Sequence, residues 1–301
     1  MGRTRRLKIV GEEAYYHLIS RTVGGEFYIG NTEKEKLFSI IKAFSNLYFV
    51  KVIGFCILDN HFHLLVKSET GDDISDEELL KKLCKFYNKS EDFIKFNLAH
   101  YRSKLADISD YMKSVKLTFT RWYNKVNDRR GYLWGDRFKS VLVESGEALM
   151  NTLAYIDLNP IRAGVVEKPE DYRWSSIGYR IQSGNKGGFL TFEGIFDEES
   201  TDTIRLYREL VYRAGGIEKE NAGKISEEMI EMEMANNFKL PKSEIFKYRV
   251  RYFSDGTVIG SKTFIKEAYN RFGNTIIKKK DRNAYKTGFN ESVYSLRCLK
   301  T

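Results

Sequence analysis

Two short apolar segments separated by a polar turn constrain the fold of this chain more than any other feature. The segments are Lys51–Leu58 and His61–Lys67, and Asp59-Asn60 lies between them. Asp and Asn favour chain reversal because their short side chains hydrogen-bond the local backbone. The pattern therefore predicts an antiparallel β-hairpin with a tight turn.

The second strand of this hairpin carries two of the four histidines of the chain, His61 and His63. Alternate strand residues share a face, so both imidazoles are predicted to point the same way, with Cα atoms about 6.5–7 Å apart. Phe62 is then predicted to face the opposite side. Two such imidazoles can bind one divalent metal ion, but the pattern alone fits a hairpin with two incidental histidines equally well. A third histidine, His17, is interpreted as a structural residue or the support of a ligand.

Hydrophobic spacing places this hairpin in a mixed pattern of strands and helices. A β-branched and aromatic segment, Ala14–Thr22, predicts a strand before the hairpin. Helices are predicted at about Glu33–Tyr48 and Ser109–Asn127, and a further strand at Ser140–Glu144. Between the hairpin and the second helix, Gly71–Lys104 begins with acidic residues and breaks the pattern. We interpret it as a helical insertion on the core.

Composition excludes several classes of protein. Of the 301 residues, 42% are hydrophobic, which is enough for a buried core and excludes a disordered chain. No apolar run approaches membrane-spanning length, and the basic start of the chain lacks the apolar region of a signal peptide. Cys56, Cys84 and Cys298 are too widely spaced for a disulfide framework or a CxxC metal site, which favours a reducing cytoplasm.

The net charge of +9 is concentrated near the end of the chain. Residues 236–301 contain 15 Lys and Arg against 5 Asp and Glu, whereas the preceding residues are close to neutral. A basic appendage on a neutral core is typical of a protein that binds a polyanion, most often nucleic acid. A solvated lysine-rich surface is the alternative.

A second basic segment, Arg129–Lys139, alternates arginines with aromatic residues. Its aromatic members are Tyr132, Trp134 and Phe138. This composition suits phosphate contacts combined with base stacking on single-stranded nucleic acid. A loop that packs its aromatic side chains into the core is the alternative, and we favour nucleic acid slightly.

A predicted helix that begins near Ser145 carries the remaining candidate residues. Tyr155 and Asn159 are four residues apart, so they are predicted to lie together on one side of the helix, away from its apolar face. Pro160 is predicted to end the helix. The pair could supply a nucleophile and a metal ligand, although a plain surface tyrosine is the more common outcome for such a pattern.

Three motifs in this order resemble those of the HUH single-strand transposases, most closely the REP-associated tyrosine transposases related to the insertion-sequence 200/605 group. The resemblance runs from about Met1 to Tyr179 and includes Tyr172-Arg173-Trp174-Ser175-Ser176. Its three motifs are His61-Phe62-His63, Gly131-Tyr132-Leu133-Trp134-Gly135-Asp136-Arg137-Phe138 and Tyr155-Ile156-Asp157-Leu158-Asn159-Pro160-Ile161-Arg162-Ala163-Gly164.

The resemblance implies an α+β fold with a ferredoxin-like core, whose antiparallel sheet carries the histidine pair. It also implies that His61 and His63 bind Mg²⁺ or Mn²⁺ and that Tyr155 is the nucleophile. The third ligand, a glutamine in some members, falls on Asn159, whose side chain is shorter. Tyr155 would attack a DNA phosphate, form a 5′-phosphotyrosine and release a 3′-OH, which allows strand transfer rather than hydrolysis.

Three regions are expected: a catalytic domain at 1–183 with its insertion at about 71–107, a linker and helical segment at 184–235, and a basic DNA-binding extension at 236–301. The expected partner is single-stranded or hairpin DNA, bound by a monomer or homodimer in the cytoplasm, at the nucleoid. The residues expected to contact DNA are Arg3, Arg5, Arg6, Arg129, Arg130, Tyr132, Trp134, Arg137, Lys139, Arg162, Lys278, Lys279, Lys280 and Arg282.

Two other functions remain open at this level. The first is a domesticated protein that binds DNA hairpins and has lost catalysis. The second is a non-haem iron oxygenase built on His61 and His63, which lacks an evident carboxylate ligand and leaves the basic end of the chain unexplained.

Overall fold

The computed structural model describes residues 8–9, 11–196, 201–218 and 222–240, together with short stretches between 259 and 295. Several residues with a predicted DNA contact lie outside the described residues: Arg3, Arg5, Arg6, Lys278, Lys279, Lys280 and Arg282.

A four-stranded antiparallel sheet forms the centre of the fold. Its spatial order is β2-β3-β1-β4, in which β1 pairs with both β3 and β4. One helix, α1, connects β1 to β2, and a second core helix, α5, precedes β4. This βαββαβ order is ferredoxin-like, which confirms the predicted fold class. The elements are β1 Ala14–Arg21, α1 Asn31–Ser45, β2 Val50–Ile57, β3 His61–Ser68, α5 Ile108–Val126 and β4 Lys139–Val143.

Helices cover both faces of the sheet. On one face, α1 and α5 pack on apolar residues of the strands that include Leu18, Phe62 and Leu64. On the other face, Cys56 and Leu65 pack against a second group of helices. Because the two faces bury separate cores, successive residues of β3 enter different environments. The helices of the second face are α6 Glu147–Asp157, α7 Asn159–Arg162, α8 Ser176–Ser183, α9 Thr201–Gly215 and α10 Glu227–Ala235.

Three helices stand between β3 and α5, in the segment interpreted as an insertion. A capping box at Ser75 and Glu78 begins the first of them. Arg102 then donates to the carbonyl oxygens of Gly71 and Ile74 and to the carboxylate of Asp76, which joins the two ends of the insertion. The helices are α2 Asp76–Tyr87, α3 Glu91–Lys95 and α4 Leu98–Leu105.

The chain after α8 returns to the sheet instead of leaving it. Gly184 ends α8 in the left-handed conformation that glycine adopts most easily. Leu190 then forms a bridge with Val52, and the Thr191 N–H donates to the Val52 carbonyl at 3.0 Å. The first part of the predicted linker is therefore packed against the sheet. The domain boundaries themselves remain predictions.

Two further helices, α9 and α10, are fixed to this side of the fold by buried charges. The Arg208 guanidinium lies 2.6 Å from Glu170 and 3.0 Å from Glu233. Phe238, at the start of the predicted basic extension, is buried against Tyr212 of α9. Among the described residues, no helix is both long and apolar enough to cross a membrane.

Candidate active site

The two histidines of β3 lie on the face of the sheet that α6 covers. Phe62, between them, is fully buried in the opposite core, as predicted from the strand period. The ring centroids of His61 and His63 are 5.0 Å apart. The two imidazoles therefore share one side of the hairpin.

The hairpin turn determines which ring nitrogen of His61 carries the proton. Its Nδ1 lies 2.6 Å from Oδ1 of Asn60, and the amide nitrogen of Asn60 donates to the Gly25 carbonyl at 2.9 Å. Because the amide orientation is set by Gly25, Oδ1 can only accept, so Nδ1 of His61 carries the proton. Its Nε2 then keeps a lone pair for a ligand role. In the sequence, Asn60 is recognisable only as a turn residue, so its contact with His61 is visible only in the structure.

His17 supports His63 in the same way. Nε2 of His17 lies 2.9 Å from Nδ1 of His63, and the two rings are stacked with centroids 5.1 Å apart. A ligand role for Nε2 of His63 requires its Nδ1–H to donate to His17. Such a partner behind a ligating histidine selects the tautomer and orients the ring. This geometry agrees with the interpretation of His17 as a support.

The three imidazoles are neutral near pH 7. Burial lowers the pKa of His17 and of His61 to about 4. Burial, together with the neighbouring histidines and Arg21, lowers the pKa of His63 to about 2. Since only a neutral imidazole can donate its lone pair, the two ligand candidates are in the protonation state that a divalent cation needs. Two imidazole nitrogens are compatible with Mn²⁺ and tolerable for Mg²⁺ when oxygen ligands complete the site, so the identity of the metal ion stays a prediction.

Tyr155 stands on α6 directly beside these rings. Its ring centroid is 6.1 Å from that of His63 and 6.1 Å from that of His17, and the side chain is 41% exposed. Gly54 of β2 makes this approach of the helix feasible, because a Cβ there would collide with Leu153 of α6. The phenol is thus both next to the histidines and open to a substrate.

The segment after Tyr155 differs from the prediction. Helix α6 ends at Asp157, and Pro160 lies in the first turn of the separate helix α7 instead of closing α6. The Asn159 amide nitrogen donates to the Tyr155 and Ile156 carbonyls at 2.9 and 3.1 Å. It therefore covers two carbonyls at the end of α6, and its Oδ1 is the atom left for a ligand role.

Arg162 is the cation nearest to the phenol in the described contacts. Its guanidinium lies over the Tyr155 ring at 4.8 Å and reaches the Tyr155 carbonyl at 3.4 Å. A guanidinium in this place can contact a phosphate that approaches the phenol.

A buried carboxylate fixes the end of the helix that carries Tyr155. Oδ1 of Asp157 accepts from the Ser176 hydroxyl at 2.8 Å and the Ile177 N–H at 3.1 Å, and Oδ2 accepts from the Tyr207 hydroxyl at 2.6 Å. Ser176 in turn accepts from the Phe55 N–H of β2 at 2.9 Å. Ser176 of the Trp174-Ser175-Ser176 segment therefore connects the end of α6 to β2.

Asp157 is expected to make stability depend on pH. Burial raises the pKa of Asp157 to about 6, above its value in an unfolded chain. The folded state therefore binds this proton more tightly, and stability falls as the pH rises from about 4 to 6. We expect the free energy of unfolding, measured in urea relative to Asp157→Asn, to fall by about 2 kcal/mol between about pH 4 and pH 7. A difference between the two proteins that does not change with pH would contradict this assignment.

The basic aromatic loop, Arg129–Lys139, has some side chains in the core and others at the surface. Trp134 is only 9% exposed: it contacts Phe62 and Phe119, and its indole N–H donates to the Lys116 carbonyl. The prediction that Trp134 stacks on nucleotide bases is therefore wrong. Phe138 is buried as well. The bridge between Trp134 and Thr22 explains the difference, because it inserts this part of the loop beside β1.

The other predicted contacts in this loop remain accessible. Tyr132 is 87% exposed. Arg129 is half-buried, with its guanidinium over the ring of Tyr28 at 4.8 Å. The remaining cationic residues of the loop are exposed: Arg130, Arg137 and Lys139.

Comparisons with known proteins give one partial sequence match and one similar solved structure. A search against protein-family models finds no match. A curated Haemophilus influenzae protein, whose name places it among the REP-associated tyrosine transposases, is 25% identical over 132 residues. The match covers 43% of this chain and 60% of that relative.

A solved structure of a REP-associated tyrosine transposase bound to a REP hairpin is also similar. It shares 16% identity at a TM-score of 0.44, over 66% of this chain and all of that one. The ordered motifs and the matched part of the sequence therefore make this chain similar to the REP-associated tyrosine transposases.

Proposed function

We propose that this protein cuts and rejoins single-stranded DNA beside hairpins, with Tyr155 as the nucleophile. The observation that carries the proposal is the position of the Tyr155 ring, 6.1 Å from the rings of both His63 and His17. A phenol is a weak nucleophile near neutral pH, so a phosphate-binding and charge-stabilising group must lie next to it. The face of β3 that carries His61 and His63 is where we propose that this group is bound.

The reaction forms one bond to phosphorus for each bond to phosphorus that it breaks. The Tyr155 phenolic oxygen attacks the phosphorus, the bond from phosphorus to the 3′ oxygen breaks, and the phenol proton passes to solvent while the departing oxygen gains one. The product is a 5′-phosphotyrosine and a free 3′-OH. A 3′-OH from another strand reverses the same steps, joins the DNA and restores the phenol.

Nε2 of His61, Nε2 of His63 and Oδ1 of Asn159 are the atoms that would hold Mg²⁺ or Mn²⁺. When bound, such an ion polarises a phosphate oxygen and offsets the charge that develops in the transition state. Asn60 and His17 keep the two rings in the required tautomers, and Arg162 orients the phosphate against the phenol. Because one chain supplies both the histidines and the tyrosine, we propose that the active site is complete in a monomer.

We propose hairpin-bearing DNA as the partner, and hence a place at the nucleoid. The exposed cations Arg130, Arg137 and Lys139 line the loop next to the sheet. The predicted basic extension would supply further phosphate contacts.

The basic extension is expected to contribute mainly electrostatic affinity. We expect the combined change of Lys278, Lys279, Lys280 and Arg282 to Ala to weaken DNA binding. It should also flatten the plot of log affinity against log salt by about 0.7–0.9 for each phosphate that the variant no longer neutralises. Fluorescence anisotropy with a labelled hairpin at several salt concentrations measures both effects. An unchanged slope would show that these residues do not contact DNA.

The direct test of the activity is incubation of the protein with a labelled, tailed hairpin oligonucleotide and Mn²⁺. The proposal predicts a covalent protein–DNA product that survives denaturation. Binding without such a product would favour the catalytically inactive hairpin-binding protein.

A further inference from the structure

Two exposed aromatic side chains lie on neighbouring loops at the end of the sheet where His61 is located. Phe27 is 77% exposed and Tyr132 is 87% exposed. Single exposed rings are common on protein surfaces, so it is the shared location of these two rings, and not exposure alone, that points to a ligand. Tyr132 belongs to the Arg129–Lys139 segment, whereas Phe27 is not a residue of the candidate active site.

Backbone hydrogen bonds hold these loops together. The Val23 N–H donates to the Leu133 carbonyl at 2.9 Å, and the Gly135 N–H donates to the Arg21 carbonyl at 3.1 Å. This antiparallel pairing sets the residue before Leu133 beside the turn that leads to Phe27. The guanidinium of Arg129 over the adjacent Tyr28 forms a second contact between the loops.

The same loops are attached to the hairpin that carries the histidines. The Ile29 N–H donates to the Asp59 carbonyl at 2.8 Å, and the Thr22 N–H donates to the Asn60 carbonyl at 2.9 Å. Ile29 is two residues from Phe27, and Asp59 is two residues from His61. The reach of the chain therefore limits the Cα distance from Phe27 to His61 to about 20 Å. That is roughly the length of six stacked nucleotides.

The charge around the two rings is mixed but positive. The six cations on these loops and on the residues that contact them outnumber the four carboxylates of the same set, which are Glu26, Asp59, Asp128 and Asp136. A protein partner with an apolar surface would not need this excess, whereas a DNA strand offers both phosphates and base faces. The cations are Arg21, Lys116, Arg129, Arg130, Arg137 and Lys139.

We infer that Phe27 and Tyr132 form a stacking platform for the unpaired nucleotides that flank the cleaved phosphate. The inference rests on the proposed function, and what it adds is the assignment of these two side chains to the contact with the single-stranded extension of the hairpin. Aromatic stacking accepts any base, so the platform holds the strand without reading its sequence.

The test compares two labelled DNA probes without metal ions: a hairpin with an unpaired extension, and the same hairpin with a blunt end. We expect Phe27→Ala and Tyr132→Ala each to weaken binding of the tailed probe by roughly 5- to 100-fold. Binding of the blunt probe should change less than about twofold for each variant. Phe27→Trp should preserve binding of the tailed probe.

Phe96→Ala is the matched control. Phe96 is 90% exposed on the insertion, which adjoins the opposite end of β3. We expect this variant to bind both probes like the wild type. A 2-aminopurine base in the extension should also fluoresce more strongly with Phe27→Ala than with the wild type, because the stacked base is quenched.

Two results would overturn the inference. One is unchanged binding of the tailed probe by Phe27→Ala, and the other is an equal loss for both probes, which would place Phe27 against the stem. These assays need neither metal nor the covalent product. A failure of the platform and a failure of Tyr155 as a nucleophile are therefore separate results.

Discussion

Tyr155→Phe is expected to abolish the covalent protein–DNA product while leaving DNA affinity close to that of the wild type. The substitution removes only the attacking oxygen and keeps the ring that contacts His17, His63 and Arg162. We expect the rate of adduct formation to fall by at least about 10³-fold. A denaturing gel with labelled hairpin DNA measures the adduct, and anisotropy measures the affinity.

Tyr101→Phe is the control for this change. Tyr101 lies on α4 of the insertion, where it contacts Tyr87 and no residue of the candidate site among the described contacts. It loses the same oxygen atom and should form the adduct at the wild-type rate. Adduct formation by Tyr155→Phe at a wild-type rate would identify a different nucleophile.

Loss of the metal-ligand candidates should produce the second large effect. His63→Ala removes an imidazole that is neutral, buried and oriented by His17, and His61→Ala removes one oriented by Asn60. Because a bound ion contributes several kcal/mol to such a reaction, we expect adduct formation to fall by about 10²–10⁴-fold. Its rate should also lose most of its dependence on Mn²⁺ concentration.

Metal binding can be followed apart from activity. Titration of Mn²⁺ with detection of the free ion by electron paramagnetic resonance should show weaker binding for both alanine variants. His17→Asn should weaken it about 10- to 100-fold, the usual effect of removing the partner of a ligating histidine. His100→Ala, on an exposed turn of α4, should leave it unchanged. Unchanged Mn²⁺ affinity in His61→Ala and His63→Ala would refute the ligand assignment.

Local patterns were sufficient to predict the central part of the fold. The period of β3 correctly separated Phe62 from the two histidines, because the alternation of a strand is a property of the backbone itself. The resemblance correctly implied a ferredoxin-like sheet. The spacing of residues could not predict that Tyr155 lies close to His63, since the two residues are far apart in the chain. That prediction came from the resemblance, which rests on the order of the motifs.

Long-range contacts account for what the sequence did not reveal. Trp134 and Tyr132 are two residues apart with similar chemistry, yet one is buried and the other exposed, because a bridge to Thr22 draws Trp134 toward β1. Asp157 and Ser176 form a buried contact that neither residue predicts alone. Phe27 belongs to no motif of the sequence, and its exposure beside the hairpin is visible only in the structure.

The break after α6 illustrates a limit of rules for single residues. Proline often follows a helix, so Pro160 was expected to end this one. Proline is equally suited to the first turn of a helix, where its missing N–H is not needed. The side chain of Asn159 bonds the last carbonyls of α6, which lets one helix end and the next begin within two residues.

Mass spectrometry of the covalent product tests the account most directly. Trypsin should release Ser140–Arg162 as one peptide, in which Tyr155 is the single tyrosine. After reaction with a tailed hairpin and Mn²⁺, followed by nuclease digestion, this peptide is predicted to carry a nucleotide on Tyr155 through its 5′ phosphate. A nucleotide on any other peptide, or unmodified Ser140–Arg162 in a sample whose DNA has been cut, would contradict the account.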